Sequence, residues 1–385
     1  MPKIGSLERF DDVSLYFHIP FCSRKCPYCH FFVVPDHDQF KTPFLLALKQ
    51  EWALRHVHLK GKRVVSIYFG GGTPTKLAPW IISELLDQIA RTCDLASDCE
   101  ITLEANPEDI TLDKMRLYKA AGINRLSIGV QSLVDEELQI LSRQHTAEEA
   151  IRAIHASHQA GLDNLSIDLM YELPTQRLAS WEKSLTFLSS LPITHLSLYN
   201  LTIEPHTGFF KRRHQLEKTL PPDEEKLAML HAAVTCLEAI GLERYEISAF
   251  SRPGRHSRHN CGYWLGRPFL GLGPSAFSYW DKKRFSNHAH LHQYQEILSR
   301  GDLPLGFEEN LPFPKNLQEL FAIHIRLCEG VDLELFEQRH GIVPSEILTS
   351  LKTLQQKKWV EEQSGMWKLT ELGRLFYDSV ATELI

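Results

Sequence analysis

Residues 13–30 read Val13-Ser14-Leu15-Tyr16-Phe17-His18-Ile19-Pro20-Phe21-Cys22-Ser23-Arg24-Lys25-Cys26-Pro27-Tyr28-Cys29-His30. A run of β-branched and aromatic residues stops at a proline and delivers the chain into three cysteines spaced C-x3-C-x2-C. Four protein sulfurs would complete a tetrahedral zinc site or cap every iron of a [4Fe-4S] cube, whereas three leave one metal corner open. A zinc reading needs a fourth ligand, for which His18 or His30 is at hand. Cys93, Cys99, Cys236, Cys261 and Cys328 stand singly and read as small hydrophobes, Cys261 alone having a neighbourhood that suggests more.

Downstream, short β-branched or aromatic runs at 13–18, 64–69, 100–105, 125–129, 164–169, 195–199 and 243–248 alternate with helical patterns such as 80–92, 112–121 and 147–160. That alternation predicts an α/β fold of βα units around a parallel sheet. Ligands in such folds sit beyond the carboxyl ends of the strands. There the polar and glycine-rich signals fall: the cysteines, then Gly70-Gly71-Gly72-Thr73-Pro74, Glu104-Ala105-Asn106-Pro107, Gln131 and Asp168. Each alone reads as a turn or a cap; five in succession point to one mouth.

The 385 residues, 43% of them hydrophobic, predict two or three domains with a sizeable core. A net charge of −6 excludes a global positive field for nucleic acid or anionic lipid. No apolar run reaches the length of a membrane span, and the opening Met1-Pro2-Lys3-Ile4-Gly5-Ser6 lacks a targeting pattern, so a cytoplasmic protein is expected. Three regions are expected: the βα units over 1–250, a Gly-, Pro-, His-, Arg- and aromatic-rich region without periodicity over 251–314, and a small α+β domain over 315–385. The last shows helices at 316–327, 333–340 and 345–356, a hairpin turning at Ser364-Gly365, and a helix at 371–382, a winged-helix-like order. Residues 331–385 hold six Lys or Arg against nine Asp or Glu, a net charge of −3, the wrong sign for nucleic acid.

The cysteine run resembles the cluster loop of the radical S-adenosylmethionine (SAM) family, and the resemblance extends over nearly the whole chain. The stretches 104–107, 127–132, 168–174 and 201–205 look like the branch containing oxygen-independent coproporphyrinogen III oxidases and the related heme chaperones. The resemblance implies a partial (β/α)6 TIM-like barrel with a C-terminal winged-helix-like domain. It implies a [4Fe-4S] cluster on Cys22, Cys26 and Cys29, with SAM chelating the fourth iron. Gly71, Gly72 and Thr73 match the loop that holds the methionyl amine; Glu104, Gln131, Arg143 and Asp168 match positions that hold the ribose, adenine and methionyl carboxylate. Tyr16 and Tyr28 match contacts flanking the cluster.

Two departures from the oxidase pattern favour the chaperone side. Phe31 stands where oxidases carry a fourth cysteine, and only fifteen residues precede Tyr16. The run His259-Asn260-Cys261-Gly262-Tyr263-Trp264 matches the H-N-x-x-Y-W signature of the chaperones, which implies heme contacts from His259, Tyr263 and Trp264. Cys261 offers a thiolate, and Arg252, Arg255 and Arg258 offer partners for propionates. The expected function is to hold heme and deliver it to an acceptor protein; the alternatives are the oxidase reaction on porphyrinogen propionates and a radical SAM reaction on another substrate. The sequence names no acceptor and leaves peripheral membrane association and SAM cleavage open.

Overall fold

The computed structural model describes residue 4 and residues 8–385; the rest of the opening segment, expected to carry no targeting signal, lies outside the described residues. Strands β1 (Asp12–Ile19), β2 (Arg63–Gly71), β3 (Asp94–Ala105), β4 (Arg125–Gln131), β5 (Leu165–Tyr171) and β6 (His195–Asn200) pair in parallel in chain order. Helices α1 (Asp38–Arg55), α2 (Pro79–Thr92), α3 (Leu112–Ala120), α4 (Ala147–Gln159) and α5 (Leu178–Leu188) lie in the crossovers between them. Each strand alternates faces. Leu15, Phe17 and Ile19 of β1 join the main apolar core, where Phe17 meets Trp52 of α1. The opposite face carries Ser14, Tyr16 and His18, and Ser14 accepts a 2.8 Å bond from Ser66 of β2. The expected partial barrel is present, and its inner face is polar.

The edges of the sheet differ from expectation. The stretch 243–248 is not a seventh parallel strand: it splits into β7 (Glu243–Glu246) and β8 (Ala249–Ser251), which fold back antiparallel on β6. A short helix, α6 (Arg258–Trp264), follows. The seventh parallel strand is β9 (Phe269–Leu272), on the far side of β1. Beyond it β10 (Phe277–Trp280), β11 (Lys283–Asn287) and β12 (Leu305–Asn310) continue antiparallel, completing a twelve-stranded sheet. Region 251–314, which shows no periodicity, is therefore ordered sheet and helix. Its strands run only four to six residues, and they range from Phe269–Leu272, buried along most of its length, to the edge strand Leu305–Asn310, exposed along most of its length, so no common alternation marks them.

A buried polar knot holds this extension to the barrel. Glu51 of α1 accepts from Arg55 Nε (2.7 Å), Asn287 Nδ2 (2.7 Å), Tyr294 Oη (2.7 Å) and the Gly273 N–H (2.8 Å). A buried carboxylate with four donors is satisfied rather than stranded.

The C-terminal domain has its own core, in which Phe321, Phe336, Ile347, Leu351 and Val380 pack together. Its first helix is α7 (Lys315–His324), and a three-stranded sheet joins Val331–Asp332, Met366–Leu369 and Val360–Gln363. The expected last helix is broken at Phe376 into Glu371–Leu375 and Tyr377–Leu384. Among the described residues no helix is long and apolar enough to cross a membrane.

Candidate functional site

The cysteine loop leaves β1 through Pro20 and is tied to the glycine loop after β2. Gly72 N–H donates to Ile19 O (2.9 Å) and Thr73 N–H to Phe21 O (2.8 Å). A Cβ on Gly72 would lie 2.7 Å from Ile19 O and 2.8 Å from Phe21 O, so the glycine is required by approach of the two backbones. Gly71 N–H donates to Glu104 (3.1 Å). The N–H groups of Gly71, Gly72 and Thr73 are thus spent inside the protein; the polarity suited to an ammonium is that of carbonyl oxygen.

Side chains link the three loops into one chain of contacts. Cys22 Sγ lies 3.4 Å from Thr73 Oγ1, which accepts from Asn106 Nδ2 (3.1 Å). Arg143 Nη2 donates to Asn106 Oδ1 and to Gly129 O, both at 2.7 Å, while Nη1 reaches Cys26 Sγ at 3.6 Å. Arg143 Nε is buried without a partner among the described residues. An unmet guanidinium donor beside Cys26 is what a carboxylate-bearing ligand would satisfy. Asn106 joins the network although the sequence carried no assigned role for it; its only signal was its place after β3.

Burial pushes the Cys22 thiol up to about 11 and raises that of Cys29, so neither ionises at neutral pH without a cation to hold it. Among the described residues no three His, Cys, Asp or Glu side chains converge as a single metal ion would require. His18, one candidate fourth zinc ligand, has both ring nitrogens occupied, Nδ1 by Tyr16 Oη (3.1 Å) and Nε2 by Phe32 O (2.8 Å). Three thiols that leave one metal corner open suit a larger cluster.

Glu104 and Asp168 face the barrel interior next to this network. Glu104 accepts from Tyr68 Oη (2.8 Å); burial and the neighbouring Asp168 push its carboxyl up to about 7. Burial likewise raises Asp168 to about 6, although Ser197 and Ser127 bond to it. Gln131 takes a left-handed backbone (φ 71°) where β4 and β5 shift register, which places its amide beside Gly129 and Arg143. Tyr28 is packed by Phe209 and lies in the same electrostatic neighbourhood as Cys26 and Arg143. Tyr16 sits deeper, stacked 6.2 Å from Tyr68.

The histidine-to-tryptophan run forms α6 and plugs the barrel. Glu100 of β3 accepts from the N–H groups of Arg258 (3.0 Å) and His259 (2.9 Å), capping the helix from inside. His259 is 1% exposed, held neutral by burial, and both its nitrogens are used: Nδ1 with Ser66 (3.0 Å) and Nε2 with Tyr263 Oη (2.8 Å). Cys261 is buried with its thiol raised far above the usual range, so it presents no thiolate. The arginines expected to meet propionates are engaged elsewhere, Arg258 with Asp98 (3.1 Å) and Arg252 with Ile193 O (3.3 Å). Arg255, like these two, does not line the neighbouring cavity.

That cavity, of about 600 Å³, lies between the cysteine loop, α6, the β9–β11 extension and α7. Tyr16, Tyr263, Trp264, Phe269 and Tyr279 form aromatic wall; Phe31 and Phe277, 52% and 55% exposed, stand at its opening. Phe31, the residue in place of a fourth cysteine, therefore serves the cavity. The size and apolar lining are those of a pocket for one flat organic ligand.

Comparison with known proteins agrees with this arrangement. The radical SAM superfamily model matches residues 16–188, and the HemN C-terminal domain model matches residues 314–376. The heme chaperone HemW of Bacillus subtilis is 32% identical over 95% of this chain and 97% of its own; that of Escherichia coli is 34% identical over 96% and 97%. The chain belongs to the HemW family of radical SAM proteins. The solved structure of the E. coli coproporphyrinogen III oxidase HemN, also a radical SAM enzyme, superposes with a TM-score of 0.83 at 25% identity, covering 99% of this chain and 92% of that one. Membership of the HemW family thus carries the HemN-type barrel and C-terminal domain together. The contribution of that domain to the cavity, through Asn316, Glu319, Leu320 and Ile323, was not legible in the sequence, because α7 reaches it only in the fold.

Proposed function

We propose that this chain is a heme chaperone, which holds heme and passes it to an acceptor protein in the cytoplasm. The observation that carries this is the aromatic cavity lined by Tyr263 and Trp264 and opening beside the cysteine loop. Tyr263 and Trp264 offer the macrocycle its wall, and His259 orients Tyr263 through the Nε2···Oη contact. The HemW relatives, named heme chaperones, support the same reading.

The three thiols of Cys22, Cys26 and Cys29 would hold a [4Fe-4S] cluster, leaving one iron without a protein ligand for SAM; such a cluster would supply an electron when reduced. Arg143 Nε would donate to the methionyl carboxylate. The Gly71–Thr73 loop would border the amine, Glu104 and Asp168 would accept from ribose hydroxyls, and Gln131 would meet the adenine. The unpartnered Arg143 Nε and the raised carboxyls of Glu104 and Asp168 support this assignment, since a polar ligand would relieve each of them.

The likeness to HemN favours one second reading, oxidative decarboxylation of porphyrinogen propionates. Anaerobic incubation of the cluster-loaded protein with coproporphyrinogen III, SAM and a reductant separates the two. The chaperone reading expects no protoporphyrinogen from a protein whose cluster is intact; product at catalytic yield overturns it.

A further inference from the structure

The polar groups on the cavity wall are unequally satisfied. His18 has both ring nitrogens engaged, and so has His259 behind Tyr263. Arg267 is bonded to Glu8, Ser14 and the Arg258 carbonyl. Arg284 is bonded to Glu309 and Glu319 through its two terminal nitrogens, and its Nε is buried without a partner among the described residues. His30 differs: it is exposed at the cavity, its ring stacks on Phe31 at 4.7 Å and 28°, and neither nitrogen has a hydrogen bond or ion pair among the described residues. Its backbone position is fixed from both sides. Cys29 precedes it, the Phe31 N–H donates to the Cys29 sulfur, and Phe31 O accepts from Lys25 Nζ (3.1 Å). Elsewhere on the cavity lining, Trp264 Nε1 of α6 and Asn316 Oδ1 of α7 are buried without partners among the described residues, as polar atoms that a ligand could satisfy.

We propose that His30 is the axial ligand to the iron of a heme lying in this cavity, between the cysteine loop and α7. An imidazole with a free nitrogen beside an apolar, aromatic-walled space is the donor heme iron takes. This inference rests on the heme-chaperone reading and adds to it the iron ligand and the participation of the C-terminal domain.

The test is heme titration of the cluster-loaded full chain, read by the Soret band and by electron paramagnetic resonance. Three proteins are compared: wild type, His30→Ala, and Ile323→Trp, which fills the cavity from the α7 side. Iron and sulfide content serve as the folding control. Expected are a loss of heme affinity of tenfold or more in both variants, and in His30→Ala alone a changed axial-ligand spectrum that added imidazole restores. A His30→Ala protein with the wild-type spectrum overturns the ligand assignment. Unchanged affinity in Ile323→Trp overturns the cavity. Either result, obtained with a wild type that binds heme, leaves the chaperone reading standing; a wild type that binds none overturns both.

Discussion

Replacing Glu104 with glutamine tests the physical state of the mouth. The Glu104 carboxyl is pushed up to about 7 in the fold against an ordinary value of 4.5, chiefly through burial and the neighbouring Asp168. A folded-state value raised in this way means stability that is fully present below about pH 4.5 and lost as pH rises through about 7. The gap is worth roughly 3 kcal/mol at most. Glu104 is partly open to the barrel interior, and screening there reduces the expected loss to about 2 kcal/mol. In Glu104→Gln there is no charge to desolvate; the new side-chain carbonyl keeps the Gly71 bond and the amide can donate to Tyr68 Oη. For a chain of 385 residues the unfolding entropy is about 0.8 kcal/mol/K, so ~2 kcal/mol corresponds to roughly 2–3 °C in Tm. Thermal unfolding of the SAM-free protein should therefore show the Tm difference, variant minus wild type, growing by that amount between pH 5 and pH 8.5. A difference that stays flat, or shrinks, refutes the burial argument for Glu104.

Three further substitutions follow from the geometry. Gly72→Ala puts a Cβ 2.7–2.8 Å from three backbone atoms of residues 19–21, so a loss of about 3 kcal/mol and a drop in iron per chain are expected from calorimetry and iron analysis. Arg143→Ala strands Asn106 Oδ1 and Gly129 O and removes the donor proposed for the methionyl carboxylate; titration calorimetry should show SAM affinity falling on the order of 100-fold, about 2.7 kcal/mol. His259→Ala removes the partners of Ser66 and Tyr263 from a buried site, costing about 3 kcal/mol in denaturant unfolding. Because both nitrogens of His259 are used and it does not line the cavity, the Soret maximum of the heme-loaded variant should match the wild type; a shifted Soret would make it a ligand after all.

The barrel was legible because its signals are local. Cysteines spaced for a cluster follow a strand that ends at Pro20, and Gly-rich or acidic residues close the next strands, so the residues of the mouth can be read off the strand ends. Direction was not legible. His259 reads as a free imidazole in sequence, yet Ser66 and Tyr263, 193 residues before and four after it, consume both nitrogens. Arg252 and Arg258 read as free cations for the same reason and are engaged by Ile193 O and Asp98. The extension over 251–314 hid its strands because an edge sheet with Lys283, Arg284, Glu308 and Glu309 on it pairs charges rather than burying a face. The α7 wall of the cavity depends on tertiary contact alone, which no short-range pattern encodes.

Equilibrium heme binding to the cluster-loaded chain tests the central claim most directly. Saturation at one heme per chain, with a Soret band distinct from free heme, is the result predicted by a cavity of about 600 Å³ walled by Tyr263, Trp264 and Phe269. Heme that partitions without saturating, from a protein whose iron and sulfide show an intact cluster, would contradict it.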